Sequence, residues 1–215
     1  MRDSAFSLQP SAFRICVILP VKPLARAKSR LARALKAPTR AALVRSIFSR
    51  TLDVIAQVDR IDGVIVVSRD LTILELARQR NAITLMESDS GLNPAITQAA
   101  HWAQAHRARA VIVIPVDLPL ITPDDLEALI DRAVEERCIV IAPDRHEDGT
   151  NLLLVRPPDA IHFAYGASSF NAHRARASER GLSVHEYRSP TAAFDIDVPD
   201  DLEVYRLLDA QAISE

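Results

Sequence analysis

Cysteine, glycine and net charge are all scarce in this 215-residue chain: two cysteines, five glycines and a formal charge of −2. Cys16 and Cys138 both sit inside apolar runs, where a thiol packs as a small hydrophobe. Their spacing fits neither a disulfide framework nor a zinc site, so a reducing, cytoplasmic setting is the expectation. Near-neutral charge argues against a nucleic-acid duplex as partner, since that needs clustered Lys and Arg to neutralise many phosphates. No apolar run approaches the ~20 residues of a bilayer-spanning helix, so no membrane role is expected. Residues 1–13 lack the charged start, apolar stretch and small-residue cleavage site of a secretion signal, and read as a flexible leader.

What is present is the balance of a globular protein, 48% apolar and 25% charged. A chain of this length forms one domain, expected over 14–212, that buries roughly 70% of its unfolded surface. Short β-branched runs at 15–19, 64–67, 82–86, 110–114, 139–142, 152–155 and 184–187 read as strands. Amphipathic stretches at 39–58, 71–80, 94–107, 122–136 and 168–180, and one starting at Pro199, read as helices. Thr39 is a plausible N-cap for the first helix. Thr122-Pro123-Asp124-Asp125 gives a stronger start, with a cap, a first-turn proline and an acid three residues on. Gly181 suits a helix C-terminus. This alternation predicts an α/β domain with a Rossmann-like, mostly parallel sheet flanked by helices. Residues 143–170 break the rhythm and are expected to form an insertion or lid over the sheet. One internal echo stands out: Ile121-Thr122-Pro123-Asp124-Asp125-Leu126 resembles Asp197-Val198-Pro199-Asp200-Asp201-Leu202, two helix starts of one type.

In an open parallel sheet, ligands bind beyond the carboxyl ends of the strands. After the first strand, residues 20–30 carry Lys22, Arg26, Lys28 and Arg30 and no glycine. Such a loop has to meet phosphates with side-chain ammonium groups rather than a glycine-lined backbone cradle. Its ordinary alternative is a solvated basic loop. After the 110–114 strand comes Asp117, between two prolines in an apolar stretch, where a carboxylate is costly unless paired or bound to a cation. Thr122 already fills the capping role that would otherwise explain it, which favours a metal ligand. Asp195 and Asp197, two apart on an extended segment, point the same way and suit a hard cation taking oxygen ligands. The competing reading is an ordinary acidic helix start, a role that Asp200 and Asp201 serve. Asp148-Gly149-Thr150-Asn151 is a turn, and residues 165–170 open a helix whose N–H groups could bind an anion. His173 reads as a surface or supporting histidine rather than a base.

Six stretches taken in order resemble one family: residues 18–31, Gly91-Leu92-Asn93, residues 115–120, Asp148-Gly149-Thr150-Asn151, Tyr165-Gly166-Ala167-Ser168-Ser169-Phe170 with His173, and residues 194–202. The chain resembles the 2-phospho-L-lactate or phosphoenolpyruvate guanylyltransferases of coenzyme F(420) biosynthesis, over roughly 15–209. That resemblance implies the nucleotide-diphospho-sugar transferase fold and transfer of GMP from GTP to the phosphate of a three-carbon phospho-acid. It implies Mg²⁺, with Mn²⁺ as a substitute, on Asp117, Asp195 and Asp197. It places Lys22 and Lys28 with Asp117 in catalysis, Pro20, Lys22, Lys28 and Asn93 at the nucleotide, and Thr150, Gly166 and Ser169 at the acceptor. The expected partners are GTP and a small phosphorylated carboxylic acid, with a homodimer as one possible assembly. Val198 departs from the family pattern, which has a threonine N-cap there. Other nucleotidyltransferases, with a molybdopterin or sugar phosphate acceptor, and a non-catalytic nucleotide-binding regulator are the competing readings.

Overall fold

The computed structural model describes residues 14–25 and 28–212; the expected leader 1–13 lies outside them. Seven strands, β1 Ile15–Val21, β2 Gly63–Ser68, β3 Ile83–Met86, β4 Ala110–Val113, β5 Cys138–Pro143, β6 Thr150–Arg156 and β7 Ser183–Glu186, form one sheet in the order β3-β2-β1-β4-β6-β5-β7. All neighbours run parallel except β6, which is antiparallel to both β4 and β5. The sheet is mostly parallel, as the alternation of runs predicts.

The central strands are largely apolar because both faces are covered, while the edge strands β3 and β7 are only partly buried. Ile15, Val17 and Leu19 of β1 face one core cluster and Ile18 the other, by the two-residue period of a strand. Helices α1 (Ala37–Ile55), α2 (Leu71–Gln79), α4 (Pro123–Asp131), the one-turn α6 (Pro190–Ala193) and α7 (Pro199–Ala212) cover the first face. Helices α3 (Leu92–Ala105) and α5 (Ser169–Glu179) cover the second. Helix α5 ends as Gly181 suggests: Gly181 has φ +65°, its N–H donates to the Ser178 carbonyl, and Leu182 N–H donates to Ala177.

Three expectations are corrected. Thr39 does not cap α1, because Pro38 takes the first turn and the helix starts at Ala37. Helix α4 stops at Asp131 rather than near 136, leaving a six-residue return into β5, which begins at Cys138. Residues 150–156, inside the stretch expected as an insertion or lid, are a buried central strand held between β4 and β5. Only the flanking segments 144–149 and 157–168 lie outside the sheet.

Strand order positions the site. From β1 the chain steps outward to β2 and β3, then returns to place β4 on the other side of β1. The carboxyl ends of β1 and β4 therefore flank the point where the order reverses, which opens a crevice there.

Candidate active site

Strand β1 delivers Pro20, Val21 and Lys22 to that crevice, and the chain beyond is pinned. Asp70, which caps α2 through one carboxylate oxygen, accepts the Leu24 N–H with the other at 2.8 Å. Lys28 then adopts a left-handed conformation, φ 50°, at the head of a 3-10 turn spanning Ser29–Arg33. Leu31, fully buried, anchors that turn in the core. The turn aims the Lys28 side chain inward, where only 9% of it is exposed.

Its ammonium lies 3.0 Å from Asp117 Oδ2 and 3.1 Å from Asp197 Oδ1. Arg30 Nη1 adds a contact of 3.0 Å to the other Asp197 oxygen. Burial alone would lower the Lys28 pKa, but the two carboxylates outweigh it and hold the group above its ordinary value. The carboxylate strands are tied together by the Ile196 N–H, which donates to the Asp117 carbonyl at 3.0 Å. Asp195, half-buried beside them, is pushed up to about 6, first by burial and then by the charges of Asp117 and Asp197, with Lys28 opposing.

Whether a metal suits this place turns on charge and spacing. Three carboxylates face one lysine and one exposed arginine, and no ion pair reaches Asp195 among the described residues. A carboxylate made harder to ionise by its neighbours is what a hard divalent cation relieves, and the donors are all oxygens. The three do not close into a ligand cluster, however; no group of three or more acids, histidines or cysteines with metal-holding geometry occurs among the described residues. The Lys28 ammonium takes the position between two of them. The residues fit a cation in chemistry, and their present spacing is that of an ammonium-bridged pair.

The cavity fronting this cluster has a volume of about 440 Å³ and is walled by Pro20, Lys22, Lys28, Arg30, Asp117 and Asp197. Lys22 stands exposed at its rim. A second compartment of about 190 Å³ shares Pro20, Val21, Lys22 and Leu92 with the first and ends on Val67, Arg69, Glu87 and Ala95.

The residues expected at the acceptor gather in a neighbouring cluster. Asp144 accepts the N–H groups of His146, Asp148 and Gly149, and a Cβ on Gly149 would stand 2.6 Å from its oxygen, so only glycine fits that turn. Asp148 in turn accepts both the N–H and the hydroxyl of Ser168, fastening the turn to the head of α5. Thr150 and Ser169 are buried. Thr150 Oγ1 meets His173 Nδ1 at 3.0 Å, while His173 Nε2 accepts the Ala164 N–H at 2.9 Å. Accepting at Nε2 leaves the ring proton on Nδ1, so His173 donates to Thr150. Burial first, then the Arg176 charge, pushes His173 down to about 4, which keeps it neutral. Gly166, at φ +139°, faces open space where a Cβ would meet nothing within 4 Å.

Asn93 is engaged by the backbone of Tyr165. Its amide donates to the Tyr165 carbonyl at 3.0 Å and accepts the Tyr165 N–H at 2.7 Å. It clasps the 164–168 loop against α3, and Leu92 and Gly91 form the cavity wall. Two further ties join the clusters: Asn151 Nδ2 donates to the Ala192 carbonyl just ahead of Asp195, and the buried Tyr165 phenol, raised well above its ordinary pKa by burial, also feels Asp117. Its hydroxyl has no hydrogen-bond partner among the described residues.

Sequence reasoning passed over Arg30 as a partner of Asp197, and Arg69 and Glu87 altogether. Glu87 follows β3 immediately, so the strand-end rule that singled out Asp117 would have found it.

A sheet of this order with its site at the reversal point defines the class. A solved structure from Desulfovibrio desulfuricans G20, described as a nucleotide-diphospho-sugar transferase, superimposes with a TM-score of 0.71 at 16% identity, covering 89% of this chain and 85% of that one. The fold is thus that of the nucleotide-diphospho-sugar transferases. Residues 15–208 match the model of the guanylyl transferase CofC-like family, and the chain belongs to that family. It is 44% identical over 186 residues to a phosphoenolpyruvate guanylyltransferase of Sphaerobacter thermophilus, covering 86% of this chain and 89% of the relative. It is 32% identical over 202 residues to a 3-phospho-D-glycerate guanylyltransferase of Colwellia psychrerythraea, covering 94% and 96%. No helix among the described residues is long and apolar enough to cross a membrane.

Proposed function

We propose that the chain is a cytoplasmic guanylyltransferase of coenzyme F(420) biosynthesis, moving GMP from GTP onto the phosphate of a three-carbon phospho-acid. Phosphoenolpyruvate is the first choice of acceptor, from the name of the 44%-identical relative; 3-phospho-D-glycerate and 2-phospho-L-lactate carry the same carboxylate and phosphate. The observation that carries the reading is the Lys28 ammonium held between Asp117 and Asp197 at the sheet's reversal point.

An acceptor phosphate oxygen attacks the α-phosphorus of GTP, a new P–O bond forms, and the bond to the bridging oxygen breaks to release pyrophosphate. The attacking oxygen is already anionic, so no general base is needed, consistent with a neutral, fully hydrogen-bonded His173. The task left to the protein is to bring anions together and offset charge on the departing pyrophosphate. Lys22 at the rim and Lys28 within supply positive charge to the phosphates. Lys28 is fixed by two carboxylates, so its ammonium is aimed before substrate arrives. Asp117, Asp195 and Asp197 would hold Mg²⁺, or Mn²⁺ in its place, which when bound draws charge off phosphate oxygens. Thr150, the Gly166 backbone and Ser169 hold the acceptor, and segments 144–149 and 157–168 bracket it as a partial lid.

Pyrophosphate release from GTP, CTP, UTP and ATP with each of the three phospho-acids, with products resolved by mass spectrometry, tests this reading. GTP with phosphoenolpyruvate is expected to yield the guanylylated acid; no GTP-dependent release with any of the three would overturn it.

A further inference from the structure

The smaller compartment has a chemistry unlike the larger one. Its walls are largely apolar (Pro20, Val67, Leu92, Ala95), and it adjoins the charged cavity, with which it shares Pro20, Val21, Lys22 and Leu92. A nucleotide whose phosphates meet Lys22 and Lys28 therefore has its base directed between these walls. At the compartment's end sits one charged pair, Arg69 Nε 3.2 Å from Glu87 Oε2. The Glu87 side chain is only 14% exposed, and its backbone N–H donates to the Ser68 carbonyl, which fixes it at the joint between β2 and β3. The arginine on one strand end thus orients the carboxylate on the next.

Guanine presents two donors, N1–H and the 2-amino group, beside one acceptor, O6. A carboxylate next to a guanidinium is the complement of that edge. We infer that Glu87 accepts from N1–H and the 2-amino group of the guanine while Arg69 donates to O6, so that this pair sets the base selectivity of the enzyme. Adenine places a donor where Arg69 donates and a bare acceptor where Glu87 accepts, so both contacts turn repulsive. A site built to hydrogen-bond its substrate discriminates strongly, because a wrong base leaves buried polar groups unpaired. The inference rests on GTP being the donor, and its test separates the two.

The experiment measures kcat/KM for pyrophosphate release with GTP, ITP (no 2-amino group), XTP (an oxygen at that position) and ATP at saturating acceptor. Wild type is expected to prefer GTP to ITP by about tenfold or more, the order of one charged hydrogen bond, and to use ATP at least 100-fold less well. Glu87→Gln should lose most of its GTP activity, bring the GTP:ITP ratio close to one and gain on XTP, whose C2 oxygen meets the new amide donor. Arg69→Ala should weaken GTP and ITP alike, since both carry O6. The pair is partly exposed, so both variants should melt close to wild type. A Glu87→Gln enzyme that keeps the wild-type GTP:ITP ratio overturns the inference while leaving guanylyl transfer intact. A wild-type enzyme that prefers another nucleotide overturns both.

Discussion

The helix starts at 121–126 and 197–202 share a sequence pattern and do opposite work. In the first, Thr122 and Asp125 form a complete capping box: the hydroxyl accepts the Asp125 N–H, and the carboxylate accepts the Thr122 N–H at 2.9 Å. Asp125 is buried and also accepts from Tyr187 Oη at 2.8 Å and Thr191 Oγ1 at 2.7 Å. In the second, Asp201 repeats the reach, accepting the N–H groups of Asp197 and Val198 at 2.7 and 2.8 Å and pairing with Arg145. Val198 offers no hydroxyl in return, so only half the box exists. The decisive difference lies one residue ahead of the cap. Ile121 is wholly buried in the core, whereas Asp197 turns outward to Lys28 and Arg30. The start is a scaffold used twice, and the position that differs faces the core in one copy and the basic side chains of the crevice in the other.

If so, substitutions in the two starts should separate activity from stability. The largest effect is expected from Asp197→Asn, which removes charge facing the phosphates. Steady-state kinetics should show kcat/KM down by two to three orders of magnitude, about 2.7–4 kcal/mol of transition-state stabilisation. Its melting temperature should stay within a few degrees, because the half-exposed side chain supports no core contact. Next comes Asp125→Ala, which strands a backbone N–H and three hydroxyls. Denaturant unfolding should show about 2–4 kcal/mol lost, with kcat/KM nearly unchanged below the melting transition.

A pH series sharpens the same contrast. Burial would raise the Asp125 pKa, but the hydroxyls of Ser189, Thr191, Thr122 and Tyr187 more than offset it, and the folded value lies below the ordinary one. The stability it supplies is therefore full above about pH 4 and lost as pH falls through the depressed folded value. The stability gap between wild type and Asp125→Asn should be constant at neutral pH and close in acid below about pH 4. The smallest effect belongs to Val198→Thr. Completing the second box should add about 0.5–1 kcal/mol in thermal unfolding and leave turnover unchanged. A large change in turnover would mean that this start is tuned for function as well as capped.

Much of this architecture is legible in the chain. The five central strands are largely apolar runs covered on both faces, whereas the short edge strands β3 and β7 are only partly buried; the Thr122 box and Gly181 terminus follow from local hydrogen bonding. The antiparallel setting of β6 is not legible, since Leu152–Leu154 read the same in either direction and only the partners on each side decide it. The break in rhythm at 143–170 comes with that reversal, since β5 and β6 are joined by residues 144–149 with no helix between them. At the site, Asp117, Asp195 and Asp197 stand out as acids that no cap requires. That Lys28 would bridge two of them depends on a left-handed turn at a lysine, for which the sequence carries no signal. The Asn93 clasp on the Tyr165 backbone is equally illegible, because its partner lies 72 residues away in the chain.

If the acids around Lys28 carry guanylyl transfer, neutralising one of them should stop it without unfolding the protein. Purified wild type and Asp117→Asn, shown by circular dichroism to be equally folded, should be incubated with GTP, phosphoenolpyruvate and Mg²⁺ and their products weighed by mass spectrometry. A guanylylated acid and one pyrophosphate per turnover are expected from wild type, and at least a 100-fold slower reaction from the variant. A folded Asp117→Asn enzyme turning over at near the wild-type rate would contradict that role of the acids.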